Sequence, residues 1–263
     1  MDNTLEFAIK LSKKSGKLLL RHFHKLRHIK SKNSNPLDLI TEADLLSEKL
    51  IFSQIKKKFP THGIYGEESN SLSDSKESRC NYTWVVDPLD GTVNYAYGLD
   101  HWCVSIALLN NNKKPILSVI HLPLTNQTFY AQKGKGSFLN GVPIKVTNSL
   151  ISSSIVSISI SHQKKRADKA IKLIKELHSD VLRVRSVGSS SIEFAYTACG
   201  RFGGCVNFSS SDWDLLPGKL LVEQAGGIVL GTKGQKELSV ETGFVAGSKS
   251  IVNSILGKSK KIK

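Results

Sequence analysis

The chain has 263 residues, 40% of them hydrophobic and 22% charged, enough apolar side chain for a sizeable core in one large domain or two smaller ones. No apolar run approaches the ~20 residues of a membrane span, and the opening MDNTLEFAIKLSKKSGK breaks its hydrophobics with Lys10, Lys13 and Lys14, so a soluble, cytoplasmic protein is expected. The net charge of +15 admits nucleic acid as a partner, but the lysines stand in KK and KKK steps along helix faces and in the tail GKSKKIK without interleaved aromatics, which favours a solvated basic surface.

In chain order, Leu5, Ile9, Leu11, Leu18, Leu19, Phe23 and Leu26 recur at mostly helical spacing and predict a long amphipathic helix over 4–28, with Asp2, Asn3 or Thr4 as its cap. After the polar stretch SKNSNPLD, a second helix is predicted from Glu42 to about Phe59. Thr41 caps it, Leu46, Leu50, Ile51 and Ile55 form its apolar stripe, and Pro60 stops it. From Tyr82 to Phe138 the runs YTWVVD, HWCVSIALL, PILSVIHLP, QTFYAQ and GSFLN are rich in Val, Ile, Thr and aromatics and read as sheet strands, separated by the turns NNNKKP and KGKG. Beyond residue 150, SSIVSISIS, DVLRVRSVG, GGCVNF, GIVLG and GFVAG read as strands. RADKAIKLIKELH, SSSIEFAYTACG, DWDLLPGKLLVEQAG and residues 248–256 read as helices. The pattern predicts a layered α/β protein, α+β in its N-terminal half and α/β in its C-terminal half, with KVTNSLISSS dividing residues 1–147 from 148–263. Cys80, Cys103, Cys199 and Cys205 show no zinc-like spacing and are expected to be reduced and mostly buried.

One stretch, WVVDPLDGTVN, carries chemistry. A strand of Trp84, Val85 and Val86, buried on both faces, delivers Asp87 to its end, where the ligands of α/β sheets usually sit. Pro88 fixes the turn and holds Asp90 back beside Asp87. Two such carboxylates repel unless one takes a proton or a cation lies between them, and oxygen-rich clusters suit hard ions such as Mg²⁺. Further acids stand at element boundaries: Asp38 and Asp44 in DLITEAD, Glu67 and Glu68 in GIYGEES, Asp212 and Asp214 in SSSDWDLLPGK. Each alone also reads as a turn residue, a cap or a solvated charge.

Together, in this order, these segments resemble the inositol monophosphatase family of magnesium-dependent, typically lithium-sensitive sugar-phosphate phosphatases. WVVDPLDGTVNY matches the first family signature and DWDLLPGKLLVEQAGG the second, with DLITEAD, GEES and RSVGSSS in support, over about residues 5–230. The resemblance implies the layered αβαβα sugar-phosphatase fold. It also implies hydrolysis of a small sugar or polyol phosphate by metal-activated water, inositol 1-monophosphate first, with 3′-phosphoadenosine 5′-phosphate or fructose 1,6-bisphosphate as alternatives. Two to three Mg²⁺ ions are implied: Glu67, Asp87 and the Leu89 carbonyl for the first, Asp87, Asp90 and Asp214 for the second, and Glu67 in a weaker third. By the same resemblance Thr92 and Asp44 orient the attacking water, with Glu67 alongside them. Gly91 and Thr92 open a helix whose free N–H groups face the phosphate. Asp90 and Asp214 border the substrate, and Gly188, Ser189 and Ser190 contact its hydroxyls.

Departures from the family pattern lie at the sugar end. Asn207 stands seven residues before Asp214, where inositol phosphatases usually carry a ring-reading glutamate, and an amide there loses a charge-assisted hydrogen bond. The forms SDWD and LLPG also differ from the inositol type. Family members are commonly homodimers, and some bacterial relatives act with the transcription machinery, so the resemblance carries a non-enzymatic alternative in which the basic surface meets RNA.

Overall fold

The computed structural model describes residues 3–25, 29–32, 35–69, 80–239 and 241–260, with the backbone alone for residues 29–32 and 35–38. Helix α1 (Asn3–His22) buries Leu5, Ala8, Leu11 and Leu19 and packs on α2 (Glu42–Lys58). The first helix thus ends six residues before the expected 28, and Leu26 lies outside the described residues. In α2 the inward face is Ala43, Asp44, Ser47, Glu48, Ile51 and Ile55, while the predicted stripe members Leu46 and Leu50 are only half-buried. Polar side chains take those buried places because they are wired to neighbouring elements: Ser47 donates to the Pro88 carbonyl (2.9 Å), Glu48 accepts the Glu68 N–H (3.0 Å), and Asp44 Oδ1 lies 3.0 Å from the Thr92 hydroxyl. Between the helices, β1 (Ile29–Lys32) and β2 (Asn35–Thr41) form an antiparallel hairpin where only a polar stretch was expected.

Seven strands follow in one sheet: β3 (Gly63–Gly66), β4 (Tyr82–Asp90), β5 (Cys103–Asn110), β6 (Pro115–Leu122), β7 (Gln127–Gln132), β8 (Gly136–Leu139) and β9 (Val142–Ile144), ordered as in the chain. Only the β3/β4 pair is parallel. The second sheet is ordered β11 (Arg183–Arg185), β10 (Ile155–Ile158), β12 (Gly204–Asn207), β14 (Phe244–Gly247), β13 (Ile228–Leu230). Here β10, β11 and β12 run parallel, joined by the crossover helices α4 (Lys164–Leu177) and α5 (Ser190–Ala198).

Strand β5 is buried along nearly all its length because helices cover both faces: α1 on one side, α5 and α6 (Asp212–Gln224) on the other. The same α5 and α6 contact β12, β13 and β14, whose far side is closed by α4 and α7 (Lys249–Ser259). The layers therefore run α, β, α, β, α, as the resemblance implies. In the central layer, a Cβ on Gly218 of α6 would lie 2.1 Å from the Phe194 ring of α5, which stacks on Phe244 at 4.3 Å. All four cysteines are free, Cys103 and Cys205 buried and the other two half-buried. No helix among the described residues is long and apolar enough to cross a membrane.

The parallel run brings the carboxyl ends of β10, β11 and β12 to one edge, so the loops after Ile158, Arg185 and Asn207 gather there. The end of β4 meets them across the central helices.

Candidate active site

In a regular strand, residues three apart face opposite sides, so Asp87 and Asp90 would point away from each other. The register prevents this. Asp87 pairs with Ser105 and Asp90 with Cys103, so three steps along β4 match two along β5. This bulge absorbs one residue and turns both acids to the same side, while Pro88, with no N–H to donate, sits inside the irregular stretch. Asp87 Oδ1 accepts the Leu89 N–H at 3.0 Å, tightening the turn.

Other elements bring the remaining acids. The backbone N–H of Glu67 donates to the Val86 carbonyl (3.2 Å), extending the parallel β3/β4 ladder and setting Glu67 against Asp87. Asp214 is the third residue of α6, and carboxylate oxygens of Asp87, Asp90 and Asp214 lie within 4.8 Å of one another. Asp90 Oδ2 also accepts the Ser191 N–H at 2.6 Å, so its carboxylate caps α5. Burial, and then the charges of Glu67, Asp90 and Asp214, push Asp87 well above the usual carboxylate range; burial, opposed by the Ser191 N–H, raises Asp90 to about 6.

Leu39, Glu67, Asp87, Leu89, Asp90, Gly91, Thr92, Gly188, Ser189, Ser190, Asn207 and Asp214 all line one cavity of about 450 Å³. Ser159–His162, Ser186 and Ser209 also line it, and no lysine or arginine does so among the described residues. Four carboxylates and a backbone carbonyl are the donor set of a hard divalent ion, so the residues present fit Mg²⁺.

Of the expected site residues, Asp44 alone does not line the cavity. It lies behind Thr92, whose Oγ1 is 3.0 Å from Asp44 Oδ1 and 3.1 Å from the Leu89 carbonyl. Asp44 Oδ2 accepts the Thr41 N–H (2.9 Å) and the Thr41 hydroxyl, so one carboxylate ties the start of α2 to the turn after β4. Burial raises it to about 6 against those hydrogen bonds. Gly91, at φ 95°, is the N-cap of the short helix α3 (Thr92–Ala96), and a Cβ there would meet the His101 carbonyl at 2.6 Å. Ser189 caps α5, accepting the Ile192 N–H at 3.3 Å. Asn207 donates through Nδ2 to Ser190 Oγ (3.2 Å) and accepts the Ser209 N–H (2.9 Å). Of Asp38 the backbone alone is described.

Asn94 and Glu193 stand out among the residues of this region that were not singled out from the sequence. The Asn94 amide nitrogen lies 2.7 Å from the His101 carbonyl and 2.9 Å from that of Val187, pinning the loop before α5 to the turn after β4. Glu193 is fully buried beneath the same loop, and burial raises it to about 7 against hydrogen bonds from Ser159 and Ser157. Its signal was present: a lone acid between Ile192 and Phe194 in an otherwise apolar helix.

Fold and site together describe a layered α/β protein with an acidic cleft at the carboxyl ends of its strands. The chain belongs to the inositol monophosphatase family, whose sequence profile matches residues 1–262. It is 35% identical over 232 residues to the Nus factor SuhB of Xylella fastidiosa, covering 88% of this chain and 82% of that one. With inositol monophosphatase 3 of Solanum lycopersicum it shares 34% identity over 247 residues, 90% of this chain and 88% of the relative. Among solved structures, an inositol monophosphatase of Thermotoga maritima superposes with a TM-score of 0.89 at 29% identity, covering 100% of this chain and 98% of its own.

Proposed function

We propose that the protein is a Mg²⁺-dependent phosphomonoesterase that hydrolyses a small sugar or polyol phosphate, inositol monophosphate first, to the free alcohol and inorganic phosphate. The observation that carries this reading is the convergence of Glu67, Asp87, Asp90 and Asp214 in one cavity with the Thr92–Asp44 pair at its edge. Glu67, Asp87 and the Leu89 carbonyl would hold one ion, Asp87, Asp90 and Asp214 a second, and Glu67 would share a weaker third. Bound there, divalent ions supply Lewis acidity toward water and phosphoryl oxygens and offset the gathered negative charge.

The chain's own residues do the positioning. Thr92 gives its hydroxyl proton to Asp44 or to the Leu89 carbonyl, which leaves its lone pairs to accept from a water and aim it. The backbone N–H groups of Gly91 and Thr92 face the phosphate oxygens. Gly188, Ser189, Ser190 and Asn207 form the wall against the sugar, and the uncharged Asn207 weakens the claim of inositol over other polyols. Phosphate release that needs Mg²⁺, is inhibited by lithium and is lost in Asp87→Asn tests the reading; release by metal-free protein at the same rate would sink it.

A second reading, association with RNA or the transcription machinery, is favoured by the net charge of +15 and by the relative named as a Nus factor. Salt-sensitive RNA retention that survives Asp87→Asn would support it. A homodimer is proposed on the family's habit alone.

A further inference from the structure

Glu193 of α5 is fully buried, yet each hydrogen bond of its carboxylate runs to a strand or loop segment that leads into the cavity wall. Oε2 accepts the Ser159 hydroxyl at 2.6 Å. Oε1 accepts the Ser157 hydroxyl at 2.8 Å and the Val187 N–H at 3.3 Å. Ser159 lines the cavity. A hydroxyl has one proton and two lone pairs, so Ser159, with its proton held inward by a carboxylate, offers only lone pairs to whatever enters. Its neighbours have the opposite polarity. Ser190 accepts from the Asn207 amide and Ser209 from the Arg166 guanidinium, so both keep a proton to donate.

We propose that Glu193 is a specificity-determining positioning residue: by holding the Ser159 proton it makes Ser159 an acceptor that selects a substrate hydroxyl and disfavours an anionic oxygen at that point of the wall. The proposal rests on the phosphomonoesterase reading and narrows its substrates to polyol monophosphates over bisphosphates that place the second phosphate there.

A purely structural role for this carboxylate would be met by glutamine. In Glu193→Gln the Val187 N–H still needs an acceptor, which fixes the amide oxygen toward Val187 and Ser157 and turns the NH₂ toward Ser159. The amide then donates to Ser159, whose own proton swings into the cavity. Shape and hydrogen-bond count are kept; the polarity of one wall atom is reversed.

The test compares wild type, Glu193→Gln, Ser159→Ala and the double variant on inositol 1-phosphate and on inositol bisphosphates that share the 1-phosphate. Assays run on the alkaline side of about 7, where Glu193 is ionised. Glu193→Gln is expected to lower the monophosphate-to-bisphosphate ratio of kcat/KM by about tenfold for at least one isomer, mainly through KM, the worth of one hydrogen bond made or opposed. Ser159→Ala should raise KM for the monophosphate, and Glu193→Gln should change nothing further in that background. An unchanged ratio in both single variants, with wild type active, overturns the proposal and leaves the phosphatase reading standing. If Glu193→Gln does not fold, Ser159→Ala decides alone, an unaltered monophosphate KM overturning the proposal. Wild type that hydrolyses none of these esters overturns both.

Discussion

Asp87 and Asp90 are held together by backbone, not by each other. The bulge opposite Cys103 and Ser105 aims them the same way, and the Leu89 and Ser191 N–H groups each satisfy one oxygen. Asp90→Asn keeps an oxygen for Ser191 but removes a buried charge. Mg²⁺-dependent hydrolysis is expected to fall by at least about a hundredfold, while the thermal midpoint of the metal-free protein at about pH 8 rises. Near-normal turnover in that variant would contradict its role as a ligand. At the sugar end, Asn207→Glu still offers an oxygen to the Ser209 N–H and gains a charge toward ring hydroxyls. A shift of kcat/KM toward inositol phosphate of about tenfold is expected, and an unchanged substrate ranking would show that position 207 does not read the ring.

Among the elements, the central helix layer sets how closely the two sheets approach, because α5 and α6 serve both. Their contact turns on Gly218. Alanine there would gain about 1 kcal/mol of helix propensity, but its Cβ would fall 2.1 Å from Phe194, a ring already stacked on Phe244. Overpacking wins: Gly218→Ala should lose about 2 kcal/mol of unfolding free energy, read from the denaturant midpoint. A midpoint at or above wild type would mean the layer can open without cost. Much at this scale was legible in the sequence. Trp84, Val85 and Val86 announce a strand covered on both faces, and the alternation after residue 150 announces crossover helices. The hairpin of β1 and β2 was not legible, because residues 30–35 are all Lys, Ser or Asn and the one alternating run, Leu37–Asp38–Leu39, is too short to mark a strand.

For the whole molecule, the gathered acids make stability depend on pH and on metal. Burial holds Asp44 and Asp90 near 6, Glu193 near 7 and Asp87 well above its ordinary value. Carboxyls raised in the folded state stabilise it fully below their unfolded values, and that contribution is lost as pH climbs through the folded ones. His121 has the opposite sign. Burial lowers it to about 4 from 6.5, so its penalty appears only as pH falls below 6.5. Between about pH 6.5 and about pH 8 the acids raised furthest, Glu193 and Asp87, still release protons, and the metal-free protein should melt progressively lower. Excess Mg²⁺ should raise the midpoint and flatten that slope, stabilising by about 2.7 kcal/mol at a hundred times its dissociation constant. Midpoints indifferent to Mg²⁺ across this range would leave the acid cup without its proposed occupant.

The sequence by itself determined the elements and the acidic motifs, because both are written in neighbours a few residues apart: a cap before a stripe, a proline between two acids, a glycine before a threonine. The tertiary structure decided which of those groups share a cavity and which way their protons point. Asp90 finds its N–H donor 101 residues on, at Ser191, and Glu193 finds Ser157 and Ser159 more than 30 residues back. Local pattern cannot encode such pairings, since they exist only once two sheets and the helices between them have closed on one another.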